Sequence, residues 1–186
     1  MAALPVMRRL TAAQARERFG PEVEIGEDVI IHDTALIHGR VRLESGVSVW
    51  PHVVIRSELH EVIVGEGANL QDFAMIHVGY ETPTLIGRNC SITHHCTIHW
   101  AEIGDDCLIG INATVMDGAS VGAGSIVAGH AILSEGSRFA PFSVIGGAPA
   151  KLLKTRDSTA PNRENAGFYL RNADAYARGI HRMADW

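Results

Sequence analysis

A large aliphatic residue recurs at every sixth position through most of the chain. Starting at Ile25, the blocks IGEDVI, IHDTAL, IHGRVR, LESGVS and VWPHVV follow one another through residue 54. The pattern returns in VGEGAN and LQDFAM (residues 64–75) and in IGRNCS and ITHHCT (residues 86–97). It then runs unbroken from IGDDCL to IGGAPA (residues 103–150). The first position is Ile, Val or Leu, with Phe139 as the exception, and the fifth is small in Ala35, Ala68, Ala74, Ala113, Ala119, Ser125, Ala131 and Ser143. A six-residue period matches neither the helical repeat nor the alternation of a half-buried strand. It fits a coil of very short strands, in which each block forms one side of a triangular prism and three blocks complete a turn. The aliphatic position fills the interior and the small fifth position lets the chain pass a corner.

Stacked turns of such a coil pair as parallel strands about 4.8 Å apart. The predicted fold is a left-handed parallel β-helix, a recognised departure from right-handed crossovers. It spans residues 23–153, with residues 1–22 as a cap on the first turn. Residues 154–186 should form a helix along the outside of the prism, with Phe168, Ala173, Tyr176 and Ile180 on one face.

The coil decides which way the chemically interesting side chains point. In "SITHHCTIHW" (residues 91–100), Cys96 falls on a fifth position, as do Cys90 and Cys107, so all three read as small buried residues rather than nucleophiles. The block at Ile76 is stretched and the block at Ile98 is one residue short. Counting blocks rather than residues puts Ile76 and Ile98 in one column, a full turn apart. His77 and His99 then both face outward, one above the other and close enough to share a metal. Arg56 continues their column. His94 lies on a neighbouring side, in the column of Asp72, so it reaches such a metal only from a second prism packed alongside. Three imidazoles leave an open coordination position, as a catalytic zinc site requires.

Composition narrows the setting. A net charge of −5 without a Lys/Arg run gives no nucleic-acid footprint, and no apolar run is long enough for a membrane span. Cysteines without framework spacing fit a reduced, cytoplasmic protein. The Arg-rich start reads as a cap, although a transit peptide shares that composition.

The stretches VWPHVVIRSELHEVIVGEGANLQDFAMIH, IGRNCSITHHCTIHWAEIGDDCLIGINATVMDGASVG and GGAPAKLL resemble the γ-class carbonic anhydrases and their relatives. The resemblance implies a homotrimer holding Zn2+ (or Fe2+ or Co2+) on His77, His94 and His99, and hydration of carbon dioxide to bicarbonate. It implies that Gln71 orients the reacting oxygen, that Arg56 helps hold the anion, and that Asp72 and Tyr169 contact substrate or ligand histidines. It also matches Arg56-Ser57-Glu58 to an Arg-Gly-Asp element at the substrate site, with a longer carboxylate and no glycine. Glu81, the one acid in the stretched loop, is the candidate for proton transfer. Trp100 replaces the usual Gly after the last ligand, where an indole is expected to narrow the pocket. The alternatives are a hexapeptide acyltransferase or thioesterase, since the fold also serves those reactions, and a catalytically weak metal-binding trimer subunit.

Overall fold

Aliphatic residues six apart are buried together only if the chain turns a corner after each of them. In the computed structural model, which describes residues 6–80 and 82–185, the chain does so. It winds as a left-handed parallel β-helix of about seven turns. The first face stacks Ile30–His32, Ser48–Val49, Asn69–Leu70, Ser91–Ile92, Leu108–Ile109, Ile126–Val127 and Ser143–Gly147 in that order. The second face carries Met75–His77, Thr97–His99, Thr114–Val115 and Ile132–Leu133, and the third carries Val23–Ile25, Thr84–Ile86, Glu102–Ile103, Ser120–Val121 and Arg138–Phe139. Two longer strands, Leu36–Leu43 and Val54–Val64, bend from the second face onto the third.

The registers put the repeat's first positions directly over one another. On the second face Ile37 pairs with Ile55, Ile55 with Ile76, Ile76 with Ile98, Ile98 with Val115 and Val115 with Leu133. All six are buried in one continuous core. Each such side chain contributes about 1.5–3 kcal/mol by leaving water. Cys90, Cys96 and Cys107 are free thiols packed at corners inside the same core. The fourth position of many blocks has a left-handed backbone, with φ of 60° at His52, 64° at Phe73 and 58° at His95. That geometry turns the corner and throws these side chains outward.

The N-terminal cap combines a strand and a helix. Met7–Arg9 pairs antiparallel with Ile30–His32. Helix α1 (Ala12–Phe19) starts from a capping box between Thr11 and Gln14, and Phe19 and Leu10 cover the open end of the core. At the other end Ala150–Thr155 folds back antiparallel on Ser143–Gly147. Helix α2 (Thr159–Ala177) then descends the first face. Asn162 Nδ2 donates to the carbonyls of Asp106 (2.9 Å) and Ser125 (3.0 Å), and Asn165 donates to Ser91 Oγ at 2.8 Å. Lower down, Tyr169 and Tyr176 meet the Trp50 ring edge-on, and Ala173 packs with Met7 and Ile30. The expected helix face therefore needs correction. Ala173 and Tyr176 belong to it, but Ile180 lies past the helix end.

Candidate metal centre

Second-position residues of the second face point outward, so consecutive turns stack their side chains into a column. His77 pairs in register with His99, and Arg56 with His77. The imidazole centroids are 4.9 Å apart, and His77 Nδ1 lies 2.9 Å from His99 Nε2. A carboxylate holds the far nitrogen of each ring: Glu58 Oε2 is 3.0 Å from His77 Nε2, and Asp117 Oδ1 is 2.5 Å from His99 Nδ1. The result is a line of four polar side chains, Glu58, His77, His99 and Asp117, running up the coil.

His94 stands apart, at the corner between the first and second faces. Its Nδ1 is 3.0 Å from Asp72 Oδ2, one turn below, and its Nε2 is 3.5 Å from the Tyr169 hydroxyl. Burial, and then the Asp72 charge, push the Tyr169 phenol above its ordinary pKa, so that hydroxyl stays protonated. Among the described residues of a single chain, no group of three ligating side chains gathers around one point. The fold brings together His77 and His99 and keeps His94 on a separate edge.

The other sequence candidates divide by exposure. Arg56 forms an ion pair with Glu58 beside His77, and both remain open to solvent. Desolvation works to raise the Glu58 carboxyl, but its own backbone N–H, the His77 bond and the Arg56 charge outweigh it and hold the pKa low. Ser57 does not open onto the site. It is buried, and its hydroxyl, with one hydrogen to give, lies between the carbonyls of Arg40 and His60 at the bend of its strand. Gln71 is also buried, its amide donating to Asn69 Oδ1 at 2.9 Å beneath α2. Glu81 lies outside the described residues. His95 stacks on Phe73, which stacks on His52, at centroid distances of 4.8 Å in both pairs.

Trp100 packs into the stretched loop. Its φ of 45° is the left-handed geometry that favours glycine. Its indole lies over Gly79, and Nε1 donates to Thr82 Oγ1. It lines a cleft with Thr82, Pro83, Leu85 and Arg138 that includes neither His77 nor His99. The stretched loop takes up the indole. Asp117 escaped the sequence reading because its block, VMDGAS, looks like any other. Extending the column count a full turn past Ile98 reaches Val115 and puts Met116 level with His99, so Asp117, one residue further on, is not singled out by the count.

Residues 101–135 match the family described as bacterial transferase hexapeptide (six repeats). Protein YrdA of Escherichia coli is 32% identical over 162 residues, covering 82% of this chain and 88% of that protein. "Gamma carbonic anhydrase 2, mitochondrial" of Arabidopsis thaliana is 31% identical over 161 residues. The chain belongs to the γ-carbonic anhydrase-like hexapeptide-repeat family. It spans 58% of the length of that plant relative, and the match covers 82% of the chain itself. Among solved structures, a putative acetyltransferase from Bacillus cereus superposes with a TM-score of 0.81 at 25% identity, covering 84% of this chain and 92% of that one. The γ-carbonic anhydrase-like fold thus also carries proteins named for acyl transfer. No helix of the described residues is long and apolar enough to cross a membrane.

Proposed function

We propose that this chain is a metal-dependent, carbonic anhydrase-like lyase of the cytoplasm that interconverts carbon dioxide and bicarbonate. It acts as a homotrimer, with His77 and His99 of one subunit meeting His94 of the next. The observation that carries this reading is the bonding of the three histidines. Each has one ring nitrogen held by a carboxylate from an adjacent turn, the arrangement that orients metal-binding imidazoles. The spacing of the pair fits as well. Two nitrogens bound to one tetrahedral zinc at about 2.0–2.1 Å stand roughly 3.3 Å apart, and His77 Nδ1 and His99 Nε2 already lie 2.9 Å apart. The neutral nitrogen donors suit zinc, and equally iron(II) or cobalt(II).

When bound, such a metal supplies Lewis acidity that brings the pKa of water to around 7. The chain's own residues supply the rest. Glu58, Asp72 and Asp117 hold the rings in place, and the Arg56 guanidinium offers a fork of donors to a bicarbonate. Gln71 can orient a reacting oxygen only by turning its amide away from Asn69. Glu81 is the proton acceptor of this scheme. Exposed apolar residues support the assembly: Leu36 and Ile132 on the histidine-bearing face, and Phe73 and Ile111 at the corner with His94, offer a surface to a second prism.

The test is elemental analysis of protein purified without added metal, followed by stopped-flow hydration of carbon dioxide. About one transition metal per chain with measurable hydration is expected. A full metal complement without hydration would leave a metal-binding trimer subunit. Absence of metal, together with acetyl-coenzyme A binding by calorimetry, would favour the acyltransferase reading that the Bacillus cereus structure suggests.

A further inference from the structure

We propose that Asp117 is a positioning residue that fixes the tautomer of His99, keeping the proton on Nδ1 and leaving the Nε2 lone pair toward His77. The argument is an inventory of protons. An ionised carboxylate only accepts hydrogen bonds, and Asp117 Oδ1 lies 2.5 Å from His99 Nδ1. The hydrogen between them therefore belongs to Nδ1. A neutral imidazole carries one N–H, so His99 Nε2 is left as a bare acceptor, and it faces His77 Nδ1 at 2.9 Å.

The lower end of the line has the same form. Glu58 faces His77 Nε2, while in the metal-free chain the 2.9 Å contact between the rings takes a hydrogen from His77 Nδ1. A cation that takes the place of that hydrogen moves the His77 proton to the Glu58 side, and both lone pairs then face the cation. Asp117 is not placed there by the needs of its own turn. Asp157, by contrast, ties its own turn by taking the backbone N–H of Thr159. The Asp117 carboxylate reaches instead to a ring on the turn below.

The consequence for metal binding rests on the function proposed above, whereas the tautomer does not, so the two are tested separately. Metal-stripped protein with 15N-labelled histidine is studied at pH 9 by long-range 1H–15N correlation, with His99 assigned from the His99→Gln variant. His99 is expected as the Nδ1–H tautomer in the wild type, shifting toward Nε2–H in Asp117→Asn, whose amide can donate to Nδ1. A wild-type His99 found as Nε2–H overturns the inference whether or not the variant folds. An unchanged tautomer in folded Asp117→Asn overturns it too. Zinc affinity is then measured by competition with a chromophoric chelator, and Asp117→Asn should bind about 10–100-fold more weakly. Equal affinity would remove Asp117 from the metal's support. A wild type that binds no zinc would overturn the functional proposal while the tautomer result stood.

Discussion

Gly79 leaves space for the Trp100 indole and for nothing else: a β-carbon on residue 79 would stand 2.5 Å from the ring. Gly79→Ala must displace the indole or the loop, and should lower the unfolding free energy by about 1–3 kcal/mol. In a Trp100→Gly background the three nearest contacts, all with the ring, are gone, and the same change should cost much less. Urea unfolding of the single and double variants measures the coupling. Additive losses would mean that the ring and the loop do not touch.

Metal retention should separate adjacent histidines. His94→Ala, His77→Ala and His99→Ala are each expected to lose most bound metal. His95→Ala should keep it, because that ring is stacked on Phe73. Trp100→Gly should keep it as well, since the indole sits in the neighbouring cleft. Metal per chain by mass spectrometry decides. Loss in His95→Ala with retention in His94→Ala would invert the assignment of the corner.

Shared sites make dead subunits complementary. Co-expression of a His94→Ala chain with a His77→Ala, His99→Ala chain should give mixed trimers with complete ligand sets at some interfaces, while each pure variant binds little. Two affinity tags isolate the mixed species for metal counting. Verified mixed trimers without metal would require all three ligands to come from one chain.

The N-terminal strand should come loose in acid. Burial works to raise the Asp33 carboxyl, but hydrogen bonds from Arg8 and the Val6 N–H, with the charges of Arg8 and Arg18, outweigh it and hold the pKa below the usual value. A depressed carboxyl stabilises the fold fully above its unfolded pKa of about 3.9, and this contribution fades as the pH falls through the lower folded value. Asp33→Asn should therefore melt about 2–4 °C below the parent at pH 7. The gap should close once both proteins are taken below the folded pKa. A gap independent of pH would mean that shape, not charge, matters at this position.

The coil was legible because its period is set by burial. Block counting gave the right columns even across the lengthened block at Ile76 and the shortened one at Ile98, since the inward aliphatic must realign with the turn below. What polar side chains do after leaving the surface was not legible. Nothing in the order of residues says that Ser57 spends its hydroxyl on a bend, or that Gln71 turns to Asn69 rather than outward. The Asp117 bond to His99 joins blocks a full turn apart, and only the pitch of the coil makes them neighbours. Where the Trp100 indole goes was not legible either, because its left-handed φ, which swings the ring over the stretched loop, has no signature in the residue itself.

Helix α2 changes how such a stack comes apart. In an open solenoid each turn touches only its neighbours, so the ends can fray one turn at a time. Here Asn162 grips the upper turns at Asp106 and Ser125, while Asp174 pairs with Arg9 beside the lowest turns at 2.7 Å. One rod is fastened to both ends of the ladder. Peeling either end means unfastening the rod that holds the other, so the molecule is expected to melt as a single block. The spacing between His77, His99 and the carboxylates around them is then protected by residues many turns away.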